Sequence, residues 1–234
     1  MPRSLRGHRS SVHHDLIAFD DLDALSHAAA RYVVSLAREA VEAEGTFQFA
    51  VSGGRSPWQM FGILTTLEMP WERTVIWQVD ERVASRGDPD RNLAHLREAL
   101  GDKVADVRPM PVEDADLDAA AASYGDALPH QFHLVHLGIG PDGHTASLVP
   151  TDPVLDVTDR PVALTSGAYE GRRRMTLTYP GIERARQLLW LVSGEDKRGP
   201  LEKLLAADPS IPAGRVEAGR SLVMADRAAA AGDT

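Results

Sequence analysis

The sequence predicts an α/β domain, with one mainly parallel sheet covered by helices on both faces. Short runs of β-branched and apolar residues alternate with longer segments whose apolar residues recur at three- and four-residue steps. The strand-like runs are apolar enough for burial on two sides, as strands of a covered parallel sheet are. The 234 residues show no internal repeat and no long linker, so a single domain with a substantial core is expected. Its expected bounds are 15–229, preceded by a flexible arm at 1–14 and followed by a frayed tail at 230–234.

The arm is basic and polar and lacks the apolar centre of a secretory signal; its Arg and Ser content is also that of a transit peptide. His8, His13 and His14 read as solvated tail, not as metal ligands. Leu22, Leu25, Ala29, Val33, Leu36 and Ala40 form one stripe of a helix opened by Asp20-Asp21 and stopped by Gly45. Phe47–Val51 is a strand, and SGGRSP follows, with Ser56 as expected N-cap and Pro57 at the first helical position. Thr74–Val79 is a second strand, ending in Asp80-Glu81-Arg82. A helix starts near Asn92, 107–110 is a short strand, and Asp116 caps a further helix. Phe132–Leu137 is the strand that feeds the stretch 138–150. Strands follow at 161–165, 175–178, 188–193 and 221–225, with a helix at about 196–207 between the last two.

Composition removes several classes of chemistry. With no cysteine, disulfides, thiolate metal sites and cysteine nucleophiles are excluded. No apolar run approaches the ~20 residues of a membrane span. A net charge of −9 opposes non-specific nucleic-acid binding. An anionic ligand must therefore be held by a few local cations and helix N-termini.

LVHLGIGPDGHTASLVP, residues 134–150, carries the strongest chemical signal. Gly138, Gly140 and Gly143 permit close approach to a ligand, and Asp142 and His144 share the loop, with a helix expected to open at Thr-Ala-Ser. The strand places this loop where open α/β sheets bind ligands. An imidazole titrates near 6.5, which suits His144 as general base, and Asp142 suits it as orienting partner. His133 and His136 read as structural, and no pair of histidines has zinc-binding helical spacing. Gly53, Gly54, Arg55 and Ser56 form either a phosphate cradle at a helix start or a plain tight turn. Asp80 to Arg82 fits either a site wall or a solvated loop entrance. Arg174 begins a strand, and Lys197 stands in a helix first turn, unfavourably for the dipole unless an anion lies nearby.

In order, SGGRSP, DER, the Asn92 helix, GIGPDGHTASL, RMTLT and SGEDK resemble the glucosamine-6-phosphate isomerase/6-phosphogluconolactonase family across nearly the whole chain. Arg82, Thr145, Ser147 and Leu148 resemble the lactonase branch; deaminases instead carry Asp-Glu-Tyr and a GHIAFNEP-type string. The resemblance implies a Rossmann-like fold and a cytoplasmic hydrolase that converts 6-phospho-D-glucono-1,5-lactone to 6-phosphogluconate in the oxidative pentose phosphate pathway. It implies His144 as base and Asp142 as its positioner, with no metal or organic cofactor. Phosphate would lie against Gly53, Gly54 and Ser56, with Arg174 and Lys197 as counter-charges and Arg82 on phosphate or oxyanion. Asp80, Asn92, Gly140 and Gly143 would shape the loops or meet sugar hydroxyls. The implied partner is a small phosphorylated sugar lactone, not nucleic acid or membrane, and a monomer is compatible. Three features depart from the family pattern: Arg55 adds charge at the phosphate loop, Val149 and Thr151 replace a Phe and a Gly, and SGAYEGRR replaces a proline-rich segment before RMTLT.

Overall fold

Strands β1 (His14–Phe19), β2 (Phe47–Val51) and β3 (Thr74–Gln78) belong to a seven-stranded sheet completed by β5 (Asp106–Arg108), β6 (Leu134–Leu137), β9 (Leu188–Val192) and β10 (Ser221–Asp226). Its order is β1-β10-β9-β6-β2-β3-β5, and every pairing is parallel. A second, antiparallel sheet runs β4 (Asp80–Arg82), β8 (Arg174–Leu177), β7 (Val162–Leu164). The helices are α1 (Leu22–Glu44), α2 (Arg55–Leu64), α3 (Asn92–Leu100), α4 (Leu117–Ala127), α5 (Tyr179–Ile182), α6 (Arg198–Leu205) and α7 (Arg227–Ala230). This computed structural model describes residues 14–103, 106–217 and 219–230. The arm up to residue 13 and the tail from 231, with His8 and His13, lie outside the described residues.

Two-sided burial is visible strand by strand. In β9, Leu188, Trp190 and Val192 join one core while Leu189 and Leu191 join the other. In β2, Ala50 faces the first core, and Phe47, Phe49 and Val51 the second. Helices α1, α2 and α3 cover the second face; α4, α6, α7 and the small sheet cover the first. The caps of α1 stand as expected, with Asp21 accepting from the Ala24 N–H and Gly45 left-handed at φ 76°. Among the described residues no helix is long and apolar enough to cross a membrane.

Four expectations need correction. His14 is no solvated tail: it is buried, its Nδ1 lies 2.7 Å from Ser221 Oγ, and it opens β1. That strand is an edge held by backbone pairing to β10, with Leu16 and Ile17 exposed, so no buried apolar pattern announced it. The α2 helix starts at Arg55, with Gly54 at the cap, so Ser56 and Pro57 sit inside its first turn. Asp80–Arg82 is a strand, not a loop. At Val79 the chain leaves one sheet for the other: its N–H donates to Val51 O and its carbonyl accepts from Leu177 N–H. Finally, no helix opens at Thr145. The Ser147 N–H donates to Thr176 Oγ1, Ala146 has φ 50°, and Thr145 and Leu148 form an isolated bridge, so the backbone groups a helix needs are engaged elsewhere.

Candidate active site

The order of the large sheet dictates where a ligand can bind. From β2 the chain moves outward through β3 and β5, then returns to place β6 on the other side of β2 and continues through β9 and β10. The loops leaving β2 and β6 therefore diverge at a topological switch point, over the carboxyl ends of adjacent parallel strands. Ser52–Gly54, running into the first turn of α2, is one of these loops, and Gly138–His144 is the other.

In the second loop, Gly140 donates its N–H to His144 O at 2.8 Å, and Gly143 donates to Gly140 O at 3.0 Å. The turn folds His144 back over Gly140, where an added Cβ would lie 2.0 Å from His144 Nδ1, so the imidazole requires glycine there. One Asp142 oxygen, Oδ1, accepts both the His144 backbone N–H at 3.1 Å and Nδ1 at 2.6 Å. This assigns the ring proton to Nδ1 and the lone pair to Nε2. Burial raises the Asp142 pKa, but the His144 bonds and that of Tyr169 outweigh it, so the carboxylate stays ionised below its usual range. The Tyr169 hydroxyl lies 3.3 Å from Asp142 Oδ2 and 3.2 Å from His144 Nδ1. Burial, then the charges of Asp142 and Glu170, push the phenol up to about 12, so it remains a donor.

The cationic side is assembled from four segments. The first turn of α2 offers the Arg55 and Ser56 N–H groups, while Pro57 has none and Trp58 donates to Gly54 O. The Arg55 side chain lies outside the described residues. Asn92 packs on this loop so closely that a Cβ at Gly53 would fall 2.2 Å from its Oδ1. That same oxygen accepts from Arg82 Nη1 at 2.5 Å. Across the ladder, Arg82 stands opposite Arg174, a like-charge pairing that is unfavourable unless an anion lies between them. Arg174 is buried, donates to Tyr169 O and Glu170 Oε2, and keeps Nε without a partner among the described residues. Lys197 Nζ pairs with Asp196 at 3.0 Å.

Each residue of the DER strand has a separate task. Asp80 accepts from Ser147 Oγ at 2.7 Å, which ties β4 to the turn after His144; burial raises its pKa. Glu81, fully buried, accepts from the Asn92 and Leu93 N–H groups at 2.8 Å and so caps α3 from outside it. Arg82 and Asp80 both line the cleft, and Arg82 brings the positive charge. His133 and His136 are structural: the Nδ1 atoms accept from Gln48 and Ser52 N–H groups. Burial pushes His136 down to about 3, so it stays neutral beneath the β2 loop.

Gly53, Gly54, Ser56, Asp80, Arg82, Asn92, Gly140, His144, Arg174 and Lys197 all line one cleft of about 770 Å³. Asp142 stands behind His144. Gly143 packs against Ile211, off the cleft wall. Trp58, His95, Tyr169 and Glu170 also line the cleft and were not expected there. Tyr169 had one signal in the sequence, as the single aromatic of the polar, glycine-flanked segment SGAYEGRR. Among the described residues, no group of three or more His, Asp or Glu is arranged to hold a metal ion.

Residues 20–224 match the family described as glucosamine-6-phosphate isomerases/6-phosphogluconolactonase. A relative named 6-phosphogluconolactonase from Synechocystis sp. is 37% identical over 187 residues, which are 73% of this chain and 77% of the relative. The solved 6-phosphogluconolactonase of Thermotoga maritima has a TM-score of 0.83 at 22% identity, covering 91% of this chain and 99% of the other. A monomeric glucosamine-6-phosphate deaminase has a TM-score of 0.82 at 18% identity, covering 92% and 98%. The two activities thus share one backbone, and side chains must discriminate between them.

Proposed function

Because the chain belongs to the glucosamine-6-phosphate isomerase/6-phosphogluconolactonase family, we propose that it hydrolyses 6-phospho-D-glucono-1,5-lactone to 6-phosphogluconate. The observation that carries this is one cleft holding both a carboxylate-oriented imidazole and a set of anion donors. Arg82, Thr145, Ser147 and Leu148 favour the lactonase branch over the deaminase branch, as does the name of the Synechocystis relative.

Phosphate is held by the first-turn amides of α2 and by Arg82 and Arg174, with Lys197 as a further counter-charge. The lactone carbonyl then lies toward His144. Nε2 of His144 takes a proton from water as the water oxygen bonds to the carbonyl carbon, and the C=O pair moves onto oxygen. Asp142 stabilises the imidazolium that forms. When the tetrahedral adduct collapses, the bond from carbon to ring oxygen breaks and the imidazolium returns its proton to that oxygen. The new carboxylic acid ionises in water.

The test is formation of 6-phosphogluconate from the lactone, above the spontaneous rate, alongside ammonia release from glucosamine 6-phosphate. Accelerated hydrolysis without ammonia is expected. Ammonia release, or saturable lactone binding with no turnover, would overturn the assignment.

A further inference from the structure

We propose that Tyr169 is a positioning residue for the acid–base pair: its hydroxyl holds the second carboxylate oxygen of Asp142 while its ring packs in a T-shaped contact against the His144 imidazole. The proposal rests on the lactonase reading above. Both His144 bonds fall on Oδ1 of Asp142, which leaves the carboxylate free to pivot about them; Tyr169 donates to Oδ2 and removes that freedom. The Tyr169 and His144 rings meet edge to face, with centroids 5.1 Å apart at 64°. One side chain thus constrains both members of the pair.

Tyr169 is itself held in place. Its N–H donates to Arg172 O at 2.9 Å, and its carbonyl accepts from Arg172 N–H and from Arg174 Nη2. The Arg174 guanidinium lies 5.7 Å from the Tyr169 ring centroid. Glu170, next in the chain, has φ 51°, a left-handed conformation costly for a residue with a side chain. This bend lets Tyr169 reach the pair while Glu170 reaches Arg174 at 3.1 Å. The other charged side chains on the cleft wall are Asp80, Arg82, Glu170, Arg174, Asp196 and Lys197.

The hydroxyl donated to Asp142 draws charge from the carboxylate. Its removal leaves Asp142 more basic and the imidazolium better stabilised, so the acidic limb of the rate profile moves to higher pH. Tyr169→Phe keeps the ring and deletes the hydroxyl. We expect kcat to fall ~3- to 10-fold, the worth of about one hydrogen bond, with KM unchanged. The acidic limb of kcat and the His144 imidazole titration, followed by NMR, should both move upward. Wild-type kcat with an unmoved limb would refute the role. So would a raised KM at unchanged kcat, which would put Tyr169 in binding through Arg174. A wild-type protein that fails to accelerate lactone hydrolysis counts against the lactonase reading instead, and the NMR titration then decides the Tyr169 contact independently.

Discussion

The two ends of the cleft are built on opposite plans. The end proposed for acid–base chemistry comes almost entirely from one loop: Asp142 and His144 are two residues apart, and their contact is closed by a local turn. The cationic end has no local origin. The α2 first turn, Arg82, Arg174 and Lys197 follow β2, lie in β4 and β8, and follow β9 respectively. A short Asp–His bond and a tyrosine leave the first end internally satisfied. The second is left with like charges facing across a ladder and a buried guanidinium nitrogen unpartnered among the described residues. The proposed proton transfer calls for a fixed geometry before substrate arrives, whereas the proposed binding of a dianion calls for cations whose carboxylate partners, Glu170 and Asp196, are exposed and solvent-screened.

Substitutions should separate the two ends kinetically. The largest effect belongs to His144→Ala, which should lower kcat by ~10²–10⁴-fold with KM little changed. Steady-state rates corrected for spontaneous ring opening check this, and retained turnover would remove His144 from the reaction. At the other end, Arg174→Ala and Lys197→Ala should raise KM by about 10- to 100-fold each, the worth of a charge-assisted bond. If kcat falls instead while KM holds, the two ends do not divide binding from chemistry.

A third test lies beneath the β2 loop. Buried His136 titrates at about 3 in the fold against ~6.5 unfolded, so the unfolded chain takes up the proton first. Its contribution is therefore present above about pH 6.5 and is lost as pH falls toward 3, amounting to about 2 kcal/mol between pH 7 and 5. His136→Asn, which can still accept from the Ser52 N–H, should flatten that dependence in urea unfolding at the two pH values. Parallel curves for both proteins would count against it. The smallest effect is expected from Glu170→Gln. With Arg174 holding phosphate as proposed, the exposed Glu170 carboxylate competes for it, so the variant should lower KM about 2- to 3-fold, as removal of a solvent-screened partner allows. An increase in KM would show that Glu170 supports the bound state.

Sequence alone determined the parallel sheet, its two-sided burial, the α1 and α4 caps, and the Asp142–His144 pair. Each is set by residues adjacent in the chain, through periodicity, capping or a single turn. Only the tertiary structure decided that DER is a strand, that Arg82 faces Arg174, that Glu81 caps α3, and that Tyr169 reaches the imidazole. Edge strand β1 and the antiparallel pairing of β4 with β8 arise from backbone hydrogen bonds between distant segments, which no local pattern of apolar residues encodes. Proximity along the chain could specify the Asp142–His144 pair; gathering positive charges that repel one another required the register of a sheet.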